Sequence, residues 1–120
     1  MIESPFVEII NYKGKQIIYW SFPDGIQQKV LISTLKMSID FMRKNKQFKY
    51  VLSDYSNIPI GNEIMQLLKS NAAVFDNVKS AVLGVTGLKK FLLWGYNQVA
   101  KKQVLAFDTK EEALEYLVKD

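Results

Sequence analysis

The sequence predicts an α/β domain: a mixed five-stranded sheet, mostly parallel with an antiparallel first strand, and four helices. Three observations predict it. Short β-branched runs alternate with longer amphipathic segments, the grammar of parallel strands joined by right-handed crossover helices. The first two runs lie close together, with only Lys13-Gly14-Lys15 between them, a spacing that suits an antiparallel hairpin. The chain of 120 residues, 48% hydrophobic and 23% charged, has the length and composition of one globular domain, and no repeat or linker divides it.

Each element has its own signal. Phe6 to Tyr12 and Gln16 to Ser21 are the hairpin strands. Asp24-Gly25-Ile26-Gln27 resembles a capping box and predicts a helix running to about Asn45. Phe48 to Asp54 reads as a buried strand, followed by the loop Tyr55 to Gly61 and a helix from Asn62 to Phe75. Ser80 to Thr86 is β-branched and apolar, Gly87 is a turn, and Leu88 to Lys101 is helical with a predicted inward stripe of Leu88, Leu92, Gly95 and Val99. Val104 to Phe107 is the last strand. Thr109-Lys110-Glu111-Glu112 is a T-x-x-E box that opens the final helix.

Composition excludes much chemistry. Histidine and cysteine are both absent, which removes Ser-His-Asp and Cys-His nucleophiles, imidazole or thiolate metal sites and disulfides. No cofactor and no metal is expected. The net charge of +4 is carried almost wholly by lysine, Arg43 being the one guanidinium. The local run Lys36, Arg43, Lys44, Lys46 and Lys49 falls at a helix end, where cations complement the dipole, and it lacks interleaved stacking aromatics. Nucleic acid is therefore not expected as a partner. No secretory signal is visible and no apolar run approaches the ~18 residues of a membrane span, so a soluble, cytoplasmic protein without a transmembrane segment is expected.

The stretch Val82-Leu83-Gly84-Val85-Thr86-Gly87-Leu88-Lys89-Lys90, followed by Phe107-Asp108-Thr109-Lys110-Glu111-Glu112-Ala113-Leu114-Glu115-Tyr116-Leu117, resembles the second half of a STAS-like domain of the SpoIIAA-like branch. Val51-Leu52-Ser53-Asp54 and the loop after it are similar to that family's third strand and switch loop, so the resemblance covers almost the whole chain. It implies an anti-sigma factor antagonist fold, related to the CRAL-TRIO lipid-carrier fold, in a cytoplasmic module that binds proteins or small apolar or anionic ligands without catalysis. The family's Asp-Ser-x-Gly phosphoswitch is missing: with Gly61 aligned to its glycine, the preceding positions are Ile58, Pro59 and Ile60. Ser56 is the nearest hydroxyl.

In open α/β sheets ligands meet the carboxyl ends of strands. That singles out Asp54, Ser56, Asn57, Thr86 and Lys89 as ligand or switch-loop candidates. Asp54 and Thr86 on adjacent strand ends, with Lys89 or Lys90 nearby, could position a cation or a phosphate-bearing ligand. The plainer reading, taken here, is that Asp54 accepts loop amides and Thr86 ends its strand. Gly84 to Lys90 lacks the spacing of a phosphate-wrapping loop and is read as a strand-to-helix turn.

Helical geometry supplies interface candidates. Leu31, Leu35, Ile39 and Met42 form the core stripe of the first helix, whereas Ile26, Val30, Met37 and Phe41 fall on nearly the opposite side. That second face is read as a partner or homodimer surface, a cavity wall, or simple helix packing. Trp94 projects away from the predicted inward stripe of the third helix, beside Lys90, Gln98 and Lys101. The expected function is non-enzymatic protein interaction, including self-association, or binding of a small ligand. The alternatives are an apolar-ligand carrier and a small Asp-dependent phosphotransfer enzyme.

Overall fold

In the computed structural model, which describes residues 4–119, the elements run β1 (Val7–Tyr12), β2 (Lys15–Ser21), α1 (Gln28–Lys44), β3 (Tyr50–Asp54), α2 (Asn62–Ser70), a 3-10 helix (Ala72–Phe75), β4 (Lys79–Leu83), α3 (Leu88–Ala100), β5 (Leu105–Phe107) and α4 (Lys110–Val118). The strands lie in sequence order across one sheet, β1-β2-β3-β4-β5. β1 is antiparallel to β2, and each later pair is parallel. Lys13 and Gly14 both take positive φ at the hairpin turn, which matches the turn to the right-handed twist of its strands.

Strand order decides which face each helix covers. When consecutive strands step across a sheet in one direction, right-handed crossovers place every connecting helix on the same side. α1, α2 and α3 accordingly share one face, and α4 lies on the other. Side chains in β2 alternate between these layers. Ile18 and Trp20 join the Leu31, Leu35, Ile39 and Met42 stripe of α1, with Ile64 of α2 and Phe75. Ile17 and Tyr19 face Ala113, Leu114 and Leu117 of α4. The Trp20 indole N–H donates to the buried Ser38 hydroxyl at 2.7 Å, so a polar pair fixes α1 against the sheet.

The expected sheet, its parallel order and the four helices are all present, but several boundaries differ. The Asp24–Gln27 capping box does not form: α1 begins at Gln28, and its N-cap Gln27 makes no side-chain cap bond. Asp24 and Gly25 are instead the centre of a turn in which Ile26 N donates to Pro23 O at 3.4 Å and Gly25 takes φ +81°. α2 stops at Ser70, short of Phe75, because both the backbone and the side-chain N–H of Asn71 bond Leu67 O, and the chain tightens into the 3-10 helix. β4 ends at Leu83, so Thr86 lies in the following loop rather than at a strand end. The T-x-x-E start of α4 does form, with Glu112 N donating to Thr109 Oγ1 at 3.2 Å.

The largest departure is the rotation of α3. Leu88 and Val99 were expected to face inward, yet they are 80% and 67% exposed, while Tyr96 is the buried residue. Polar anchors set this rotation. The Lys89 ammonium reaches under the helix to Tyr55 O at 2.7 Å and Gly84 O at 3.3 Å. The Asn97 amide brackets Val104, donating to its carbonyl at 3.0 Å and accepting from its N–H at 3.1 Å. Lys89, Leu93, Tyr96 and Asn97 therefore look toward the protein, and the opposite side carries Leu88, Phe91, Trp94 and Val99.

Candidate functional site

The carboxyl ends of β3 and β4 carry the predicted switch-loop residues. Asp54 Oδ1 accepts from Ser56 N at 2.9 Å and from Ser56 Oγ at 2.5 Å, closing a tight turn directly after β3. Tyr55 N continues the sheet by donating to Leu83 O at 2.9 Å. Asn57 Nδ2 reaches back to Phe22 O at 3.3 Å, tying the loop to the end of β2. Lys89 donates to the Tyr55 and Gly84 carbonyls, so this cation clamps the two strand ends together.

Gly84 makes that clamp possible. It has φ +73°, and a Cβ there would run into the Ser56 backbone. The loop after β3 therefore lies on bare backbone of the loop after β4. Of the five strand-end candidates, Asp54 and Ser56 bond to each other while Asn57 and Lys89 tie the same loop to the Phe22, Tyr55 and Gly84 carbonyls, and Thr86 is exposed outside this strand-end knot. Among the described residues no group of three or more acidic side chains gathers as a metal cluster would require.

Beneath α2 and α3 lies a cavity of about 480 Å³ whose walls include Trp20, Met65, Phe75, Leu93 and Val82. Ser53 and the Tyr55 and Tyr96 rings add polar groups to this apolar lining. Burial raises both phenols, Tyr55 to about 12 even though a hydrogen bond with Ser53 pulls the other way. The Lys102–Asp76 ion pair, 2.5 Å long, lies on the rim.

The interface candidates separate into two groups. Ile26 and Phe41 are partly buried against the main core, and the Phe41 ring lies 5.3 Å from that of Phe48. Val30 and Met37 are open to solvent at 40% and 38%. The second face of α1 is thus half covered by the chain itself. Trp94 is 66% exposed and Phe91 73%, and with Leu88 and Val99 they make a continuous apolar face on α3. Trp94 and Leu105 line one shallow depression between α3 and β5.

Leu88, Phe91 and Val99 were not singled out as exposed from the sequence. A readable signal was nevertheless present: no acidic residue occurs between Asp76 and Asp108, a stretch that holds Lys79, Lys89, Lys90, Lys101 and Lys102. No described helix is long and apolar enough to cross a membrane.

No family profile matches the chain, and no curated protein matches its sequence. The structure, in contrast, is similar to that of an anti-sigma-factor antagonist (STAS) domain protein from Planctomyces limnophilus, with a TM-score of 0.58 at 15% identity over 94% of this chain and 98% of that one. With its antiparallel opening strand, a sheet otherwise parallel and in sequence order, and three crossover helices on one face, this protein has a STAS-like fold.

Proposed function

We propose that this chain is a non-enzymatic STAS-like interaction module that works by docking through α3. The observation that carries this reading is the outward face of Leu88, Phe91, Trp94 and Val99 on a helix whose opposite side is anchored to the sheet and loops. Large apolar side chains in one contiguous patch mark an interaction surface when the backbone beneath them is held rigidly. The strand-end knot supports the same reading, since it spends the groups that catalysis would need free. Asp54 is already accepting from Ser56, and Lys89 is already donating to two carbonyls. Pro59 stands where the family's phosphoacceptor would be, so the module works without that switch.

The test is a photoreactive benzophenone side chain placed at Phe91, with Gln47 at the far end of the sheet as the reference position. Adducts of defined mass at Phe91 and not at Gln47 support docking through α3. Equal labelling at the two positions overturns it.

The cavity beneath α2 and α3 favours a second reading, carriage of a small apolar ligand. A volume of about 480 Å³ lies within the range of small-molecule sites, and its walls are mostly apolar. Native mass spectrometry of freshly purified protein reads a bound ligand and the oligomeric state together.

A further inference from the structure

We propose that the cavity beneath α2 and α3 holds a single-chain monoanion of the fatty-acid class, its tail between Trp20, Met65, Phe75 and Leu93 and its carboxylate at Lys101 and Lys102 on the rim. This rests on the reading of the cavity as a carrier site and names what it carries. The interior suits a tail. Trp20, Phe75 and Val82 belong to the main core, and Met65 and Leu93 close over them from α2 and α3. The polar groups among them are already satisfied: the Tyr55 phenol is hydrogen-bonded with Ser53, and no buried side-chain nitrogen or oxygen among the described residues lacks a partner. A ligand group placed there gains by burying apolar surface and finds no free hydrogen-bonding group to satisfy. A methylene takes about the same 30 Å³ as a liquid water, so a chain of about ten to twelve carbons fits within the cavity of about 480 Å³.

The charge lies on the rim. The charged residues of the walls are Asp76, Lys79, Lys101 and Lys102, three cations against one anion. All four stand at element ends on one side of the cavity: Asp76 follows the 3-10 helix, Lys79 opens β4, and Lys101 and Lys102 follow α3. Asp76 is engaged by Lys102. Lys79 is held against the protein, donating to Lys119 O at 3.0 Å and lying over the Tyr116 ring. Lys101 is exposed and meets no carboxylate among the described residues.

The rim therefore keeps a surplus of positive charge after Asp76 is counted, and an anionic head is its complement. The Lys102 side chain is only 12% exposed, so an anion beside it is screened less than in open water. Lysine without arginine suits a point-charge contact with a monoanion rather than a bidentate grip on phosphate. Tail and head then sit where the cavity is apolar and where it is charged, with no polar group buried unpaired.

The test pairs ω-bromoundecanoate with ω-bromoundecanol at neutral pH, two chains of one length that differ in the charge of the head. The protein carries Trp94→Phe, which leaves Trp20 as its one tryptophan. Bromine quenches an indole on close approach, and Trp20 is 1% exposed, so quenching reports a tail inside the cavity. The acid is expected to quench Trp20 and to bind about tenfold tighter than the alcohol. Octanoate, decanoate and dodecanoate should displace it with affinities that rise about fourfold for each added methylene. Lys101→Gln should weaken the acid about fivefold and leave the alcohol unchanged. Asp76→Asn should act in the opposite direction, tightening the acid about fivefold, because Lys102 is released to the carboxylate while the amide oxygen still accepts from it.

Equal binding of acid and alcohol, with Trp20 quenched by both, would leave the cavity a carrier site and remove the anionic head from its ligand. Acid affinity unchanged in both rim variants would do the same. Binding of the acid without quenching of Trp20 would place the tail outside the cavity and overturn the proposal. No binding of either chain would remove the carrier reading along with it.

Discussion

Asp54 and Ser56 hold one another at the end of β3: Asp54 Oδ1 accepts from Ser56 Oγ at 2.5 Å and from Ser56 N at 2.9 Å. A carboxylate committed to its own turn is a structural acceptor. Asp54→Asn keeps one acceptor oxygen and is expected to cost under about 1 kcal/mol in urea unfolding, whereas Asp54→Ala leaves the Ser56 amide without that partner and should cost about 1 to 2 kcal/mol. A tight Mg²⁺ or Mn²⁺ site in calorimetry that disappears in Asp54→Asn would point to the phosphotransfer alternative instead.

Gly84→Ala should be the more damaging change, although it adds one carbon. The backbone at Gly84 has φ +73°, which disfavours any side chain by about 1 to 2 kcal/mol, and the new Cβ would collide with the Ser56 backbone, which cannot swing aside as a side-chain end can. A loss of more than about 2 kcal/mol is expected. Because the displaced segment is the β3–α2 loop, hydrogen exchange at Tyr55 and Ser56 should rise more than at the β2 amides. An Ala variant as stable as wild type would show that the two loops are not packed as described.

Phe41 and Met37 lie on the same side of α1 but should respond differently to a charge. Phe41 is half-buried with its ring on Phe48, so Phe41→Glu places a carboxylate against the core and should cost about 2 to 3 kcal/mol. Met37 is open to solvent, and Met37→Glu should change stability by less than about 0.5 kcal/mol. Chemical denaturation of the two variants checks the order. If Phe41→Glu is as stable as wild type and only its sedimentation changes, Phe41 belongs to an intermolecular surface.

The hairpin, the parallel strand order, the core stripe of α1 and the Thr109 cap were legible because each is a local pattern with a single physical reading. The start of α1 was not. Asp24-Gly25 satisfies both a helix cap and a tight turn, and which one forms depends on where Pro23 and the end of β2 direct the chain. The rotation of α3 was hidden for a different reason. Apolar residues occur on almost every side of Leu88–Ala100, so periodicity alone cannot choose a face. The choice falls to Lys89 and Asn97, two residues that a hydropathy reading assigns to solvent but whose side chains find backbone partners at the strand ends. The same ambiguity concealed the docking face, since an outward Phe91 follows directly from an inward Lys89.

The Tyr55 phenol makes alkaline stability a test of the buried interior. Burial raises its pKa in the folded chain from 10.0 to about 12, ahead of the opposing hydrogen bond with Ser53. The sign follows from the neutral form being the one the fold accepts. Below the unfolded pKa both states hold the proton, and the folded state keeps its full stability. As pH rises from about 10 the unfolded chain ionises first, so stability is drawn away until the folded phenol also titrates near 12. The interval corresponds to a loss of about 3 kcal/mol at most. Tyr55→Phe has no proton to lose, so its urea midpoint should fall less than wild type's across this range, even if the lost hydroxyl makes it slightly less stable near neutrality. Parallel alkaline limbs in the two proteins would show that Tyr55 ionises as freely in the folded chain as in the unfolded one, and that the phenol is in contact with water.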